Sequence, residues 1–302
     1  MFCISDRLKK AKKQVSEKMD NNSLKVAYSG IEGAFAHIAA GRIFPGAERI
    51  SYRSFRAAYE AVDRGECDYA VLPIENSYAG EVGQVMDIIF EGKLYIRGIY
   101  SLPVTQNLLG VKGTDFSDIK KVISHPQALD QCYNYLSEHG YESVQATNTA
   151  EAAKYVSELN DKSVAAIASI ETAERYGLEV LEENINEVDN NTTKFAVVER
   201  NMSELILDNG RPDVYAMMFT IPNEPGALSQ ILTTLGIFGY NMRVIRSRPL
   251  KGHRWTYYFY TEAEGDASSI GRAMLEGMQR NCEMVKVLGH YSEVDELLSR
   301  SK

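Results

Sequence analysis

The alternation of strand and helix patterns from Leu24 to Val198 most constrains how this chain folds. Leu24–Tyr28 predicts a strand, Ala34–Arg42 predicts a helix, and Val164–Ala168 predicts a strand much later in the same series. Strands that alternate with helices are typical of a mostly parallel sheet covered by helices. Because the series is long for one sheet, we predict two α/β lobes with a cleft between them.

A different pattern follows a polar stretch over residues 199–212, which is predicted to be a linker. The order becomes strand, helix, strand, strand, helix, strand. The segments concerned are Val214–Ile221, Ala227–Phe238, Met242–Ser247, Thr256–Thr261, Ser268–Gln279 and Met284–Leu288. This βαββαβ order is the ferredoxin-like motif. At the other end of the chain, apolar residues at helical spacing predict a helix over residues 6–20.

These patterns predict three parts along the chain. We expect an N-terminal helical extension over residues 1–23, an α/β domain over residues 24–200 and a ferredoxin-like domain over residues 213–292. The two lobes of the α/β domain would comprise residues 24–101 plus 178–200, and residues 102–177.

Composition excludes several classes of protein. The 302 residues are 44% hydrophobic and 25% charged, as expected for a globular protein of two or three domains. A net charge of −8 argues against a nucleic-acid partner. No apolar run approaches the roughly 20 residues of a membrane helix, and no secretory signal is present, so a cytoplasmic location is expected. The four cysteines are scattered, with no metal-ligand spacing.

Two polar segments lie at the ends of predicted strands. Asn190–Phe195 brings two amides, two hydroxyls and a cation to the strand Phe195–Val198, and Pro73–Ser77 follows the strand Tyr69–Leu72. Polar residues at strand ends are typical of ligand clefts in open α/β sheets. Asn-Asn followed by Thr is also ordinary turn chemistry. From these residues alone, a simple turn and a ligand cleft both remain open.

Several short motifs occur in a specific order between Leu24 and Tyr291. They are Pro73–Ser77 with Gly80, Ser124–Ala128 with Gln131–Cys132, Thr147–Ala153, Tyr176–Leu178, Asn191–Phe195, Gly226–Leu228 and Ser247–Pro249. In this order and spacing the chain resembles the prephenate dehydratase family followed by an ACT regulatory domain. The resemblance implies a two-lobed catalytic domain like a periplasmic binding protein, and a ferredoxin-like βαββαβ ACT domain.

The resemblance also implies a reaction and its residues. The family converts prephenate to phenylpyruvate with loss of water and carbon dioxide, and it requires no metal and no cofactor. Thr193 is the catalytic residue by resemblance; a threonine is a weak acid, so we expect it to act as a hydrogen-bond donor or relay to the departing hydroxyl. The substrate-binding residues implied are Glu75, Asn76, Ser77, Thr149, Lys194 and Phe195.

For the ACT domain, the resemblance implies feedback inhibition by L-phenylalanine in a homodimer or homotetramer. The effector would be bound by Gly226, Ala227, Leu228, Ser247, Arg248 and Pro249. We expect phenylalanine to stabilise the protein and to lower its activity. The 23 residues before Leu24 are too few for a chorismate mutase domain, so no mutase activity is expected.

The chain departs from the usual pattern of the family in four places. Lys194 replaces an arginine, Gln106 replaces a histidine, Arg246 replaces a glutamate, and alanines at 34 and 36 remove hydroxyls from the first turn. Three alternative functions therefore remain: an arogenate dehydratase, a prephenate decarboxylase that keeps the hydroxyl, and a non-catalytic amino-acid sensor.

Overall fold

A computed structural model describes residues 24–187, 191–202, 213–265 and 269–291. The helix predicted over residues 6–20 and most of the predicted linker lie outside these ranges. The chain divides into two compact units. The first comprises the chain up to Val85 together with Ser101–Phe195, and the second comprises Met86–Tyr100 together with the chain from Ala196.

The first sheet alternates strands with helices, as the sequence pattern predicts. Its elements are β1 Lys25–Ser29, α1 Phe35–Ile43, β2 Glu48–Tyr52, α2 Phe55–Asp63, β3 Tyr69–Asn76, β4 Gly80–Glu81, α3 Gly83–Glu91, β5 Tyr95–Pro103 and, much later, β11 Thr192–Glu199. The strand order is β2-β1-β3-β11-β5, with β4 paired to β3. Strand β1 is parallel to both β2 and β3.

The second sheet is built from the stretch between β5 and β11. Its elements are β6 Asn107–Gly110, β7 Lys121–Ser124, α4 Pro126–Gln131, α5 Tyr133–His139, β8 Glu142–Gln145, α6 Thr149–Leu159, β9 Val164–Ala168, α7 Ile170–Tyr176 and β10 Glu179–Glu182. The strand order is β10-β6-β9-β7-β8. Two short helices, α4 and α5, follow β7 and meet at Cys132.

The prediction of a mostly parallel sheet is wrong for this second sheet. Strand β7 is parallel to β8 and β9, but β6 is antiparallel to β9 and to β10. Strand β6 is the first strand of this sheet in chain order, and it follows β5 of the first sheet with no helix between them. The alternating pattern fails at this junction, and the mixed α/β fold remains.

The third sheet has the predicted βαββαβ order. Its elements are β12 Asp213–Thr220, α8 Ala227–Ile237, β13 Asn241–Pro249, β14 Tyr257–Gly265, α9 Ser269–Gln279 and β15 Met284–Tyr291. The strand order is β13-β14-β12-β15, and every pair is antiparallel. Its core is formed by large apolar side chains of the sheet and both helices, among them Met217, Phe219, Ile231, Leu235, Met274 and Met278.

The segment Met86–Tyr100 packs within the same unit as this third sheet. The ring of Phe90, near the end of α3, stacks on Tyr258 with centroids 4.2 Å apart. Lys286 donates to the backbone oxygens of Ile89, Phe90 and Gly92, which close the C-terminus of α3. A cation at this end of a helix is favoured by the helix dipole. The second unit is therefore larger than the βαββαβ fold alone.

Gly289 of β15 lies directly against the backbone of Ile96, and a Cβ at this position would clash with the Ile96 oxygen. Because backbone cannot move aside cheaply, we expect Gly289→Ala to lower the free energy of unfolding by about 2 kcal/mol or more. Gly236 of α8 has no heavy atom within 4 Å of the corresponding position. Gly236→Ala should therefore stabilise by up to about 1 kcal/mol through helix propensity. Urea unfolding of both variants tests this pair, and equal effects would contradict it.

Candidate active site

The side-chain amide of Asn76 is the centre of the candidate site. Asn76 ends β3, and its Oδ1 accepts hydrogen bonds from the backbone N–H groups of Tyr78 and Ala79 at 3.0 and 2.9 Å. An oxygen can accept these bonds and an NH₂ group cannot, so the two backbone donors fix the orientation of the amide. The nitrogen Nδ2 of Asn76 is therefore a donor to whatever lies on its other side.

That nitrogen donates to Oδ1 of Asn191 at 2.7 Å and to Oγ1 of Thr193 at 2.9 Å. The backbone bond from Ser77 N to Thr192 O and the bond from Thr192 N to Ser77 Oγ, both 2.9 Å, join the end of β3 to the start of β11. Thr193 Oγ1 thus receives a hydrogen bond. Its own proton stays available, since the described part of the chain offers it no acceptor within hydrogen-bonding distance.

Helix α4 of the second sheet supplies two further amides. Gln127 Nε2 donates to Oδ1 of Asn76 at 3.0 Å. Gln131 lies four residues later on the same helical face, and its Oε1 accepts from Nδ2 of Asn191 at 3.0 Å. The helix begins after His125, whose Nδ1 accepts from the backbone of Gln127. One helix therefore contacts both asparagines of the Thr193 network.

The network continues into a buried position with unused hydrogen-bonding capacity. Gln106 Nε2 donates to Gln131 Oε1 at 3.2 Å, and the two residues are only 3% and 6% exposed. Among the described residues, Gln106 Oε1 and Gln131 Nε2 have no hydrogen-bond partner. A buried polar atom without a hydrogen-bond partner lowers the free energy of unfolding by about 1–3 kcal/mol, and the packing of the surrounding core must offset this loss.

Glu75 and Lys194 form an ion pair beside the network. Lys194 Nζ lies 3.4 Å from Glu75 Oε2, and the two side chains are 38% and 23% exposed. A partly exposed ion pair contributes little to stability, because water screens the attraction between its charges. The ammonium group carries three N–H donors on a single nitrogen atom. It can therefore attract an anion, but it cannot form the two parallel hydrogen bonds that an arginine guanidinium forms with a carboxylate.

The residues predicted from the sequence are brought together only in part. The network includes Asn76 and Thr193, Ser77 is bonded to the same strands, and Glu75 and Lys194 pair beside them. Phe195 is 1% exposed in the core, and Thr149 is 8% exposed at the start of α6. No hydrogen bond joins either of these two described side chains to Asn76 or Thr193.

Sequence reasoning missed the contribution of α4. The spacing of Gln127 and Gln131 at i and i+4, directly after a strand, was the available signal. It places two amides on one helix face, but it does not reveal that their partners are Asn76 and Asn191 on another sheet.

A cavity of about 480 Å³ lies elsewhere in the same unit, beside the first turn. Gly33, at φ +88°, accepts a hydrogen bond on its oxygen from Thr172 and donates from its nitrogen to His37. Burial and the nearby Arg49 lower the pKa of His37 to about 4, so this imidazole is neutral at pH 7. Exposed charges and small residues line the cavity, and none of them belongs to the Asn76 network. We therefore place the candidate site at Asn76 and Thr193.

The described residues show neither a metal-binding cluster nor a membrane-spanning helix. No group of three or more His, Cys, Asp or Glu side chains in them is arranged to hold a metal ion. No helix among these residues is long and apolar enough to cross a membrane.

A sequence profile described as "Prephenate dehydratase" matches residues 26–203. The matched range contains every residue of the network around Asn76. The chain belongs to the prephenate dehydratase family. The match ends before the third sheet, so the profile makes no statement about the βαββαβ fold.

Named members of the prephenate dehydratase family cover most of the chain. "Arogenate dehydratase/prephenate dehydratase 1, chloroplastic" of Arabidopsis thaliana is 35% identical over 90% of this chain and 73% of its own length. The prephenate dehydratase of Methanocaldococcus jannaschii is 34% identical over 89% of this chain and 98% of its own. The solved structure of the prephenate dehydratase of Arthrobacter aurescens in complex with L-Phe has a TM-score of 0.83 and 31% identity, covering 90% of this chain and 91% of that one.

The residues predicted to bind an effector lie in the second unit. Gly226, at φ +86°, precedes α8, whose first residues are Ala227 and Leu228, while Ser247, Arg248 and Pro249 end β13. The guanidinium of Arg248 donates to both oxygens of Asp87 on α3, at 3.0 and 3.3 Å. Arg248 is therefore bonded to a buried carboxylate of its own chain.

Two further side chains bond to the carboxylate of Asp87. Tyr258 donates to it at 2.8 Å, Lys251 Nζ lies 2.9 Å from Oδ2, and the side chain of Asp87 is 7% exposed. Burial alone would raise the pKa of this carboxyl, but hydrogen bonds from Arg248, Lys251 and Tyr258 lower it to about 2. A carboxylate held in this way stays ionised through the whole neutral range.

This depressed pKa has a consequence for stability. A carboxyl with a folded pKa of about 2, against 3.8 ordinarily, contributes its full stabilisation above pH 4 and loses it as the pH falls through 2. We expect Asp87→Asn to lower the free energy of unfolding by about 2 kcal/mol at pH 7. The deficit should shrink between pH 4 and pH 2. Thermal unfolding across this range checks it against Asp63→Asn, an exposed control, and a pH-independent deficit would contradict the assignment.

Proposed function

We propose that this chain is a prephenate dehydratase, a lyase that converts prephenate to phenylpyruvate, water and carbon dioxide. One observation carries the proposal: Thr193 Oγ1 accepts a hydrogen bond from Asn76, which leaves the Thr193 proton to be donated outward. The family membership of residues 26–203 supports the same reading.

The reaction needs little covalent participation from the protein. The C–C bond to the ring carboxylate breaks, and its electrons enter the ring as carbon dioxide leaves. The C–O bond to the ring hydroxyl breaks in the same process, the ring becomes aromatic, and the oxygen departs as water after gaining a proton. The protein must hold two carboxylates and offer a hydrogen bond to the departing oxygen.

We assign that hydrogen bond to Thr193. An aliphatic hydroxyl is too weak an acid to protonate the oxygen outright, so Thr193 acts as a donor or relay. The bond received from Asn76 Nδ2 withdraws electron density from Oγ1 and makes its proton a better donor. The network thus strengthens the group that stabilises charge on the departing oxygen.

The charged pair Glu75 and Lys194 fits the binding of an anion. Lys194 has donors to spare while its ammonium lies 3.4 Å from Glu75. We assign it to one carboxylate of the substrate, and Glu75, Asn76 and Ser77 to the wall beside it. A lysine here holds the carboxylate as a point charge, with less control of its orientation than an arginine fork.

The first test is incubation of the purified protein with prephenate, followed by the ultraviolet absorbance of phenylpyruvate in alkali. Formation of phenylpyruvate supports the proposal. Prephenate left intact while arogenate is converted to phenylalanine would assign an arogenate dehydratase, which several relatives are named. Prephenate consumed without phenylpyruvate would assign a decarboxylase, and neither substrate consumed would leave the non-catalytic amino-acid sensor.

Substitution of Thr193 tests the role of its hydroxyl. Removing a single donor to developing negative charge costs about 10²–10³ in kcat, so Thr193→Ala should lower kcat by that factor. Thr193→Ser keeps the hydroxyl and should remain within about tenfold of wild type. Steady-state kinetics with a thermal unfolding control decides this, and equal activities of the alanine and serine variants would refute the role of the hydroxyl.

We further propose that the α/β domain spans residues 24–200 and that residues 213–292 form an ACT domain that senses phenylalanine. The βαββαβ element order and the relative solved with L-Phe support this proposal. The effector would contact Gly226, Ala227 and Leu228 at the start of α8, and Ser247 and Pro249 of β13. Arg248 would act indirectly, through its hydrogen bond to Asp87. Addition of phenylalanine should raise the thermal midpoint and inhibit turnover; no shift and no inhibition would reject the effector.

A further inference from the structure

The oxygen of the Asn76 amide accepts three hydrogen bonds. Two come from the backbone N–H groups of Tyr78 and Ala79, in the turn directly after β3. The third comes from Gln127 Nε2 at 3.0 Å, from helix α4 of the second sheet. A carbonyl oxygen has two lone pairs, so a third donor is more than orientation of the amide requires.

A third donor changes the amide electronically. Each bond to Oδ1 draws electron density through the conjugated amide from Nδ2, and the N–H groups become stronger donors. Those N–H groups bond Asn191 and Thr193 at 2.7 and 2.9 Å. The effect of Gln127 therefore reaches the Thr193 hydroxyl through one residue, although no hydrogen bond joins Gln127 and Thr193 directly.

We propose that Gln127 is a positioning residue for the dehydration, which polarises the Asn76 amide so that the Thr193 hydroxyl donates more strongly to the departing oxygen. This inference rests on the proposed function. It makes the strength of the catalytic hydrogen bond depend on a helix of the second sheet, whereas the other two donors to Asn76 belong to the turn after β3.

Apart from this contact, Gln127 contributes little to holding helix α4 in place. Helix α4 is held by Ala128 and Leu129, which are 2% and 6% exposed in the core of the second sheet. Gln131, one turn later, keeps its own bond to Asn191. Because these anchors remain when Gln127 is replaced, a loss of activity separates from a loss of folding.

The test compares Gln127→Leu and Gln127→Glu with wild type on prephenate. Gln127→Leu removes the donor, and we expect kcat to fall about tenfold while KM and the thermal midpoint stay unchanged. Gln127→Glu has the same shape but donates only when its carboxyl is protonated. Its kcat relative to wild type should be as low as that of the leucine variant at neutral pH, and it should recover as the pH falls and the carboxyl gains a proton.

Two comparisons isolate the effect. Gln145→Glu adds the same charge at an exposed position of β8 and should show a pH-independent ratio to wild type near one. The titratable groups beside the network are His125 and Cys132 at the two ends of α4, Glu75 on β3, Lys194 on β11, and Glu187, whose backbone N–H donates to the Gln131 backbone oxygen. All of them are present in every variant, so ratios to wild type at each pH remove the contribution that the variants share.

The outcomes are distinct. A leucine variant with wild-type kcat overturns the positioning role, as does a glutamate variant whose relative kcat does not change with pH. A fall in the thermal midpoint that accounts for the lost activity also overturns it, because the role would then be structural. A wild-type protein that leaves prephenate and arogenate unchanged in the same assay overturns the proposed function, and this inference with it.

Discussion

The direction of the Asn76 amide determines the hydrogen bonding of the whole candidate site. Backbone N–H groups of Tyr78 and Ala79 bond only to an oxygen, so the nitrogen must face Asn191 and Thr193. A reversed amide would lose both backbone bonds and would place an oxygen against two other oxygens. A short turn after one strand therefore decides that the threonine hydroxyl is an acceptor on one side and a donor on the other.

Part of this arrangement follows from the sequence because strand ends are recognisable from local patterns. Glu75–Ser77 ends an apolar run and Thr193–Lys194 begins another, and the structure joins the two segments. Their roles with substrate remain predictions. The contact of Gln127 was beyond local patterns, since it joins helix α4 to the end of β3, 51 positions away. Strand β6 shows the same limit, because local patterns do not reveal that it pairs antiparallel with β9.

Motif position and side-chain environment are also separate pieces of information. Phe195 follows Thr193 and Lys194 in the motif, yet it is 1% exposed in the core, as expected for the apolar interior of a strand. Arg248 belongs to the motif predicted to bind an effector, yet its guanidinium holds Asp87, 161 positions away. A buried carboxylate attracts the nearest available cations, and sequence spacing does not encode which ones are near.

The second unit includes Met86–Tyr100 from the middle of the chain. Asp87 and Phe90 give the third sheet an ion pair and a ring stack, and Lys286 of that sheet bonds the end of α3. A gene fragment starting after the predicted linker would encode all six elements of the βαββαβ fold, but not Asp87, Phe90 or the end of α3. Such a fragment would leave Arg248, Tyr258 and Lys286 of the third sheet without these contacts to α3.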